Sequence, residues 1–581
     1  MKRFAMIIAL IGCAWNCYAV QDYICNFNNP KGLNYLVRNG ANTIQNIDQP
    51  NYIIASEHNG DDAMAHFAGS FSKTLEHNPE TGVLSANGQQ NYQRLLTAIQ
   101  TGLQEDFNAI VRANESITKL VNPQASFANS LEGVANALIP MPAAPSLSSA
   151  LAAADMIEVY LKAICRSVHF EDYGTGLNSD VDTINGGSLT NHAAAVLTAL
   201  GNAYQGPRNQ NGTVTADILF RGDAEGCLIG IYVSQFLYLP LHYVFQTLNQ
   251  IGQFVPEALN EFGIAWDDFI AIQNGAVPGV ANFGSNRYLI SGKDGGTCVH
   301  SDGPGEFFLN AANILLFNGI PLSSTLPYQN GSSPNEDGFV TCMISDIYAT
   351  IFAAQQEGLK HAWAHKWRAN RKLRPEAMAA RIHRWKVTGV NTYNLNPLIN
   401  QTLGGFNVPN WINAFNKANA VANGLTQQEA NTYLLPLLFP EGSPAHPSYP
   451  AGHAVAAGAC STIVKAFFDD QALLSDYVQP VKPDPNDPTQ LIDLTPAEGA
   501  NIITVGGELE KLASNIALFR DFAGVHYRTD GDLGVNLGEQ VALALLKDRA
   551  RQYHESGFTG YELTLRNGQR VRVTDSAVIN I

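Results

Sequence analysis

This chain has no long basic run, no cysteine pair at metal-ligand spacing and no apolar stretch that reads as a bilayer span. Each absence removes a class of function. With 35 Lys and Arg against 51 Asp and Glu, the net charge is −16, and no run gathers the cations for nucleic acid or an anionic membrane. The acidity is read as solubility. The eight cysteines include no C-x-x-C pair, which argues against zinc. Beyond the N-terminus the most apolar stretch is Leu228 to Leu248. Ser234, Gln235, Pro240, His242 and Gln246 interrupt it, so it is expected to be a buried core helix. A repeat of fixed period is also absent.

The first residues read as an export signal. Lys2 and Arg3 precede an apolar run from Phe4 to Ala14, and Cys17-Tyr18-Ala19 offers a small residue before a cut. That run is too short to span a bilayer. Leu10-Ile11-Gly12-Cys13 also resembles a lipoprotein box that would lipidate Cys13, although the short run favours cleavage after Ala19. Both readings put the protein outside the cytoplasm, secreted or periplasmic. Cleavage leaves Cys25, Cys165, Cys227, Cys298, Cys342 and Cys460, an even number that permits disulfides without fixing their pairing.

A chain of 581 residues, 45% hydrophobic, can bury a large core, in two or more domains or one fused helical unit. Helical spacing runs over Asn91 to Leu103, Ser148 to Cys165, Asn191 to Gly201, Phe307 to Phe317, Ile344 to Asn370 and Ala454 to Phe468. Five prolines between Gln479 and Pro496 predict a loop there. Tyr561 to Arg566, Asn567-Gly568 and Gln569 to Thr574 read as a β-hairpin. The expected class is all-α with a small C-terminal β-hairpin. The expected division is a signal over 1–19, an N-terminal helical half over 20–330, a helical half carrying the site over 331–555 and a tail over 556–581.

Three segments carry chemistry. In the first, Lys366 and Arg374-Pro375 end a helical stretch; eight residues at ~100° each would leave the two cations roughly 80° apart. By itself this is as readily a solvated helix end. The second is His446-Pro-Ser-Tyr-Pro-Ala-Gly452-His453, followed by Ala454 to Ala459. Pro450 can start a helix, Gly452 lets a backbone N–H approach an oxyanion, and the helix N-terminus favours negative charge. The small residues after it let another helix pack close. The third is Arg520-Asp-Phe-Ala-Gly524-Val-His526-Tyr-Arg-Thr-Asp530. A regular helix would separate Arg520 from His526, but Gly524 can end it between them. Asp530, four residues after His526, can orient its imidazole. Lys366, Arg374 and Arg520 would repel one another unless an anion joined them, so the three segments together describe a site for a tetrahedral oxyanion.

Here the sequence resembles the vanadium-dependent haloperoxidases. That family's pattern is a Lys, an Arg-Pro, a Pro-Ser-Gly-His and an Arg with His six residues on. This chain has Lys366, Arg374-Pro375, Pro450-Ala-Gly452-His453 and Arg520 with His526. The eight-residue step from Lys366 to Arg374 matches the algal-type and bacterial branch; the related type 2 phosphatidic acid phosphatases use seven. Weaker similarity covers Leu120 to Ser126, Leu219 to Gly222, Arg287 to Gly292 and Phe308 to Ala311.

The resemblance implies a fold of two helical-bundle halves of the haloperoxidase and acid phosphatase type. It implies vanadate as cofactor, with His526 bonding vanadium and Lys366, Arg374, Arg520 and the Gly452 backbone holding its oxygens. His453 would be the acid–base group. His446 and His365 would tune halide or proton access, and Asp530 and Asp302 would support the histidines. Hydrogen peroxide, a halide (bromide or iodide ahead of chloride) and a small organic acceptor would be the substrates, and a homo-oligomer is expected. Vanadium(V) would serve as a Lewis acid that makes peroxide attackable by a halide, giving hypohalous acid.

Two departures stand out: Ala451 replaces the family's serine, and Phe519 precedes Arg520 where small residues are usual. The serine's loss should weaken vanadate binding or alter halide preference. Two other functions compete. An exported acid phosphatase would use His526 as nucleophile. A non-catalytic oxyanion-binding extracellular protein would need only the cup.

Overall fold

The computed structural model describes residues 58–581 except 115, 129–131, 135–138, 255–260, 285, 330–332 and 556. The export signal, Cys13 and Cys25 lie outside the described residues.

Ten described helices are longer than ten residues, and six of them fall where apolar spacing put them. The ten are α1 (Ala86–Thr101), α2 (Ala150–Cys165), α3 (Leu189–Ala199), α4 (Glu306–Phe317), α5 (Ile344–Trp363), α6 (Pro375–Thr388), α7 (Val408–Asn419), α8 (Gly452–Phe467), α9 (Val505–Phe522) and α10 (Arg528–Gln552). Serine or threonine side chains cap the first turn of α1, α2, α3 and α9, accepting from the backbone N–H three residues on. α8 begins at Gly452, with Ala451 before it, two residues later than Pro450.

α8 is the centre of the fold. Every residue in it except His453 is buried, and it packs against α5, α9 and α10. The crossing with α10 is a backbone contact. A Cβ on Gly538 would stand 2.1 Å from the Val455 carbonyl oxygen, and one on Gly458 2.2 Å from that of Val535. Small residues after His453 therefore do let a second helix approach to near contact. The main apolar cluster joins these helices to α2, α3, α4, α6 and α7.

Three expectations change. Leu228 to Leu248 is not a helix: Pro240 cannot donate to a helical ladder, and the segment ends in a hairpin of β1 (Leu241–Tyr243) and β2 (Gln246–Leu248). Its buried part runs over Tyr232 to Leu239, while Phe245 at the hairpin tip is fully exposed. The proline-rich segment is not a plain loop either. It folds as β3 (Val481–Asp484) paired with β4 (Asp487–Asp493), with an irregular register at Pro483/Asp484. A two-stranded ribbon is all edge, which is where a strand tolerates proline. The C-terminal hairpin, β5 (Tyr561–Thr564) and β6 (Arg570–Val573), gains a third strand, β7 (Val578–Asn580).

Among the described residues Cys165, Cys227, Cys298, Cys342 and Cys460 are free thiols. None of the described helices is long and apolar enough to cross a membrane.

Candidate active site

The three motif segments meet beside the N-terminus of α8. Lys366 does not share a helix with Arg374, as the 80° argument supposed. α5 runs on into a π-helical turn, Ala364–Asn370, which carries Lys366. The chain then reverses at Arg371, in the left-handed region at φ 30, ψ 34, and Arg374 precedes the first turn of α6. Lys366 and Arg374 nevertheless converge on one loop. The Lys366 ammonium donates to the carbonyls of Pro447 and Ser448, both at 2.7 Å, and Arg374 Nε donates to that of His446 at 2.9 Å.

Gly524, at φ 80, ends α9 and redirects the chain into α10, as its position between Arg520 and His526 suggested. His526 is thereby turned toward Arg374, whose Nη1 lies 2.9 Å from His526 Nε2. His526 Nδ1 lies 3.0 Å from Asp530 Oδ2. With Nδ1–H donating to that carboxylate, the lone pair is left on Nε2, the nitrogen on the arginine side. Asp530 is itself fixed. Lys372 Nζ donates to Oδ1 at 2.9 Å, Ser448 Oγ donates to Oδ2, and the Tyr527 N–H reaches Oδ2 at 3.3 Å.

Arg520 completes the cup. Its Nη1 donates to the carbonyl of Val299, three residues before Asp302, and Asp302 Oδ1 sits 2.9 Å from His453 Nε2. Gly452 is the first residue of α8, so its N–H has no acceptor within the helix. A Cβ there would stand 3.0 Å from the Trp363 ring, so the tryptophan closes over this helix end. The same ring lies 4.9 Å from that of His446, whose Nδ1 is 2.9 Å from Arg374 Nη2.

Burial and crowding set the charges. Burial drives the Lys366 ammonium well below its ordinary range, and Arg374 and Arg520 lower it further. Burial pushes Arg374 down to about 9, again with Arg520 adding to the effect. His526 and His446 are held well below 6.5, first by burial and next by the Arg374 charge. His453 is lowered by burial and by Arg520, while its bond to Asp302 pulls the other way. Burial alone would raise Asp530, but Lys372 and the His526 and Ser448 hydrogen bonds hold it far below the usual carboxylate range. The site is thus a dense patch of positive charge, with Asp530 held on the Nδ1 side of His526 and Asp302 beside His453. An oxyanion suits it: Arg520 Nε is buried with no hydrogen-bond partner among the described residues, and the mutual repulsion of the cations favours a bound anion.

Lys366, Arg374, Arg520, Gly452, His526, His453, His446, Asp530 and Asp302 are therefore brought together. His365 is not. It is buried on another side of the π-helical turn, with Nε2 3.0 Å from the Ile139 carbonyl, so it has no route to the cup. Phe519 packs with Phe170 and Tyr232, on a different face of α9 from Arg520. Reading by sequence missed Lys372 and Ser448, although both lie inside the motif segments. Their role depends on a carboxylate more than 80 residues away.

A family model described as the VCPO second helical-bundle domain matches residues 346–555, the stretch that holds the cup except for Asp302. A vanadium-dependent bromoperoxidase of Corallina pilulifera is 32% identical over 473 residues, covering 75% of this chain and 77% of its own. One from Ascophyllum nodosum is 29% identical over 523 residues, covering 88% of each chain. Among solved structures, the homohexameric second vanadate-dependent bromoperoxidase of Ascophyllum nodosum aligns with a TM-score of 0.79 and 26% identity, covering 94% of this chain and 91% of that one.

Proposed function

The chain belongs to the vanadium-dependent haloperoxidases, and we propose that it holds vanadate in the cup of Lys366, Arg374 and Arg520 and uses hydrogen peroxide to oxidise bromide or iodide. One observation carries this reading: Lys366, Arg374 and Arg520 are buried close enough together to depress the Lys366 ammonium, and Arg374 Nη1 lies 2.9 Å from His526 Nε2 while Asp530 occupies Nδ1.

The residues divide the work. Nε2 of His526 is the ligand to vanadium. Lys366, Arg374, Arg520 and the Gly452 N–H would hold the oxygens; the three side chains are fixed by donors tied to backbone carbonyls, and the N–H by the start of α8. When bound, vanadate supplies a Lewis-acid centre at which peroxide becomes open to attack by halide. His453 is placed to take a proton from incoming peroxide and to return it as hypohalous acid forms. Its imidazole suits that exchange, and its side chain is 22% exposed, whereas His526 is sealed. Trp363 and His446 shape the approach for halide and for a small organic acceptor.

The test is to load the protein with vanadate and assay peroxide-dependent oxidation of iodide, bromide and chloride, beside hydrolysis of a phosphate ester without vanadate. Vanadate-dependent bromide oxidation supports the proposal. Ester hydrolysis with no halide oxidation would support a phosphatase that uses His526 as nucleophile and overturn it.

Two wider readings go with this one. The solved relative is homohexameric, and we propose that this chain also assembles with copies of itself, to be checked by light scattering. The basic, apolar and small-residue order of the first 19 residues supports export. Mass spectrometry of the mature N-terminus distinguishes cleavage after Ala19 from lipidation at Cys13.

A further inference from the structure

We infer that Asp62 and Arg371 form a positioning clamp, supplied by the N-terminal part of the chain, that sets where Lys366 and Arg374 stand in the cup. The inference rests on the vanadate reading and adds residues that no motif in the sequence marks.

The need for a clamp comes from the backbone. Lys366 ends its work in a π-helical turn and Arg374 begins the next helix, so the path between them fixes their spacing. That path turns at a single residue, Arg371, at φ 30, ψ 34. A residue with a Cβ rarely takes the left-handed conformation without support, because Cβ crowds the neighbouring carbonyl. Rotation there would swing Lys366 against Arg374. It would also move Lys372, whose ammonium holds Asp530 at 2.9 Å and through it His526.

The support is specific. Arg371 N–H donates to the Lys366 carbonyl at 3.0 Å, and the Arg371 carbonyl accepts from the Phe71 N–H at 2.7 Å. Its guanidinium donates through Nη1 to the Trp367 carbonyl at 2.8 Å and through Nε to Asp62 Oδ2 at 2.9 Å; Nη2 contacts Asp62 as well. Asp62 is in turn fixed on Oδ1 by Ser70 Oγ at 2.5 Å and by Tyr92 Oη at 3.2 Å. His58 Nε2 lies 3.1 Å from Oδ2. Ser70 then pairs antiparallel with Lys372 across the turn. One carboxylate thus gathers a guanidinium, two hydroxyls and an imidazole at the turn between two of the proposed cofactor-binding cations. Arg371 keeps Asp62 below the ordinary carboxylate range against the opposing effect of burial, so the clamp is charged at neutral pH.

The experiment titrates the apo protein with vanadate by calorimetry and records thermal unfolding alongside. Asp62→Ala should weaken vanadate binding about tenfold or more, in the range found when partners behind a ligand shell are removed. The double variant Asp62→Ala with Arg371→Gly should recover to within about threefold of the unmutated protein. Glycine takes the left-handed turn unaided, and no buried guanidinium is left unpaired. Arg371→Gly alone should stay within about threefold; if Asp62→Ala fails to fold, Asp62→Asn, which keeps the shape of the side chain but loses the charge facing Arg371, carries the test and should also weaken binding. Unchanged vanadate affinity in Asp62→Ala with a lowered melting temperature would show a merely structural ion pair and overturn the clamp. So would a double variant without recovery, or a large loss in Arg371→Gly alone. If the unmutated protein takes up no vanadate, the cofactor reading fails instead. The same variants titrated with inorganic phosphate, an oxyanion of the same shape, then decide the clamp independently.

Discussion

Two of the three histidines at the cup, His526 and His453, live in opposite surroundings. His526 is 1% exposed, and the carboxylate behind it is tied to a lysine, a serine hydroxyl and a backbone N–H. His453 is the one residue of α8 that escapes burial, and a single carboxylate, Asp302, restrains it. The floor of the cup is over-determined and the rim is loosely held. A group that must keep a metal in place gains from several mutually fixed partners, because each removes a way for the ring to turn. A group that must pick up and give back a proton needs water within reach and a partner weak enough to leave. On the proposed function the two tasks fall to two imidazoles that the sequence spaces 73 residues apart.

The sharpest way to break this comparison is to attack the floor. Asp530→Asn keeps the shape of the carboxylate but removes its charge, so His526 loses the partner that fixes its tautomer. Vanadate affinity should fall by roughly 10–100-fold. His526→Ala should exceed that and abolish measurable uptake. Calorimetric titration of both variants checks the order. Equal losses would mean that Asp530 acts as a ligand-grade group, and no loss in Asp530→Asn would mean that the floor is not a unit.

The roles of the two histidines came from the family resemblance, but part of the floor could be read locally. Arg520, Gly524, His526 and Asp530 lie within one short stretch, so helix periodicity and one glycine were enough to place them. The small residues of α8 announced a close crossing, and Gly538 meets the Val455 carbonyl there. What stayed hidden depends on distant partners or on conformations with no residue signature. Lys372 looked like one more cation in a basic run until Asp530 met it. Arg371 is an arginine in a left-handed turn, where the sequence rule expects glycine. His365 stands next to Lys366, yet in the π-helical turn adjacent side chains diverge, and it went to the Ile139 carbonyl. The proline-rich segment forms strands in spite of its prolines because a two-stranded ribbon leaves each strand a free edge.

The rim offers a smaller effect with a clear sign. Burial and the Arg520 charge lower the His453 pKa, and the Asp302 carboxylate partly restores it. In Asp302→Asn the first two act unopposed, so His453 gives up its proton at lower pH. If neutral His453 is the form that accepts a proton from peroxide, the acid limb of kcat/KM for peroxide should move to lower pH. Vanadate affinity should change far less than in Asp530→Asn. A pH profile with an unmoved acid limb would detach His453 from peroxide binding. A large loss of affinity would mean that the rim is part of the floor.

The smallest effect belongs to the residue between them. Ala451 caps α8 where the family has serine, and it is fully buried within the main apolar cluster, its N–H donating to the Asp530 carbonyl at 2.9 Å. A hydroxyl introduced by Ala451→Ser would gain a hydrogen bond to the oxyanion but lose apolar contact. The net benefit should be nearer the ordinary hydrogen-bond value of about 1 kcal/mol than the larger value for a charged partner. That predicts vanadate binding about fivefold tighter, with a change in the ratio of bromide to iodide turnover smaller than that. The measurement separates two accounts of the substitution. Tighter binding means that the missing hydroxyl leaves this site one contact short of what the helix end can supply. Unchanged affinity together with unchanged halide preference means that a serine at this helix end adds nothing which Gly452 and the three cations do not already supply.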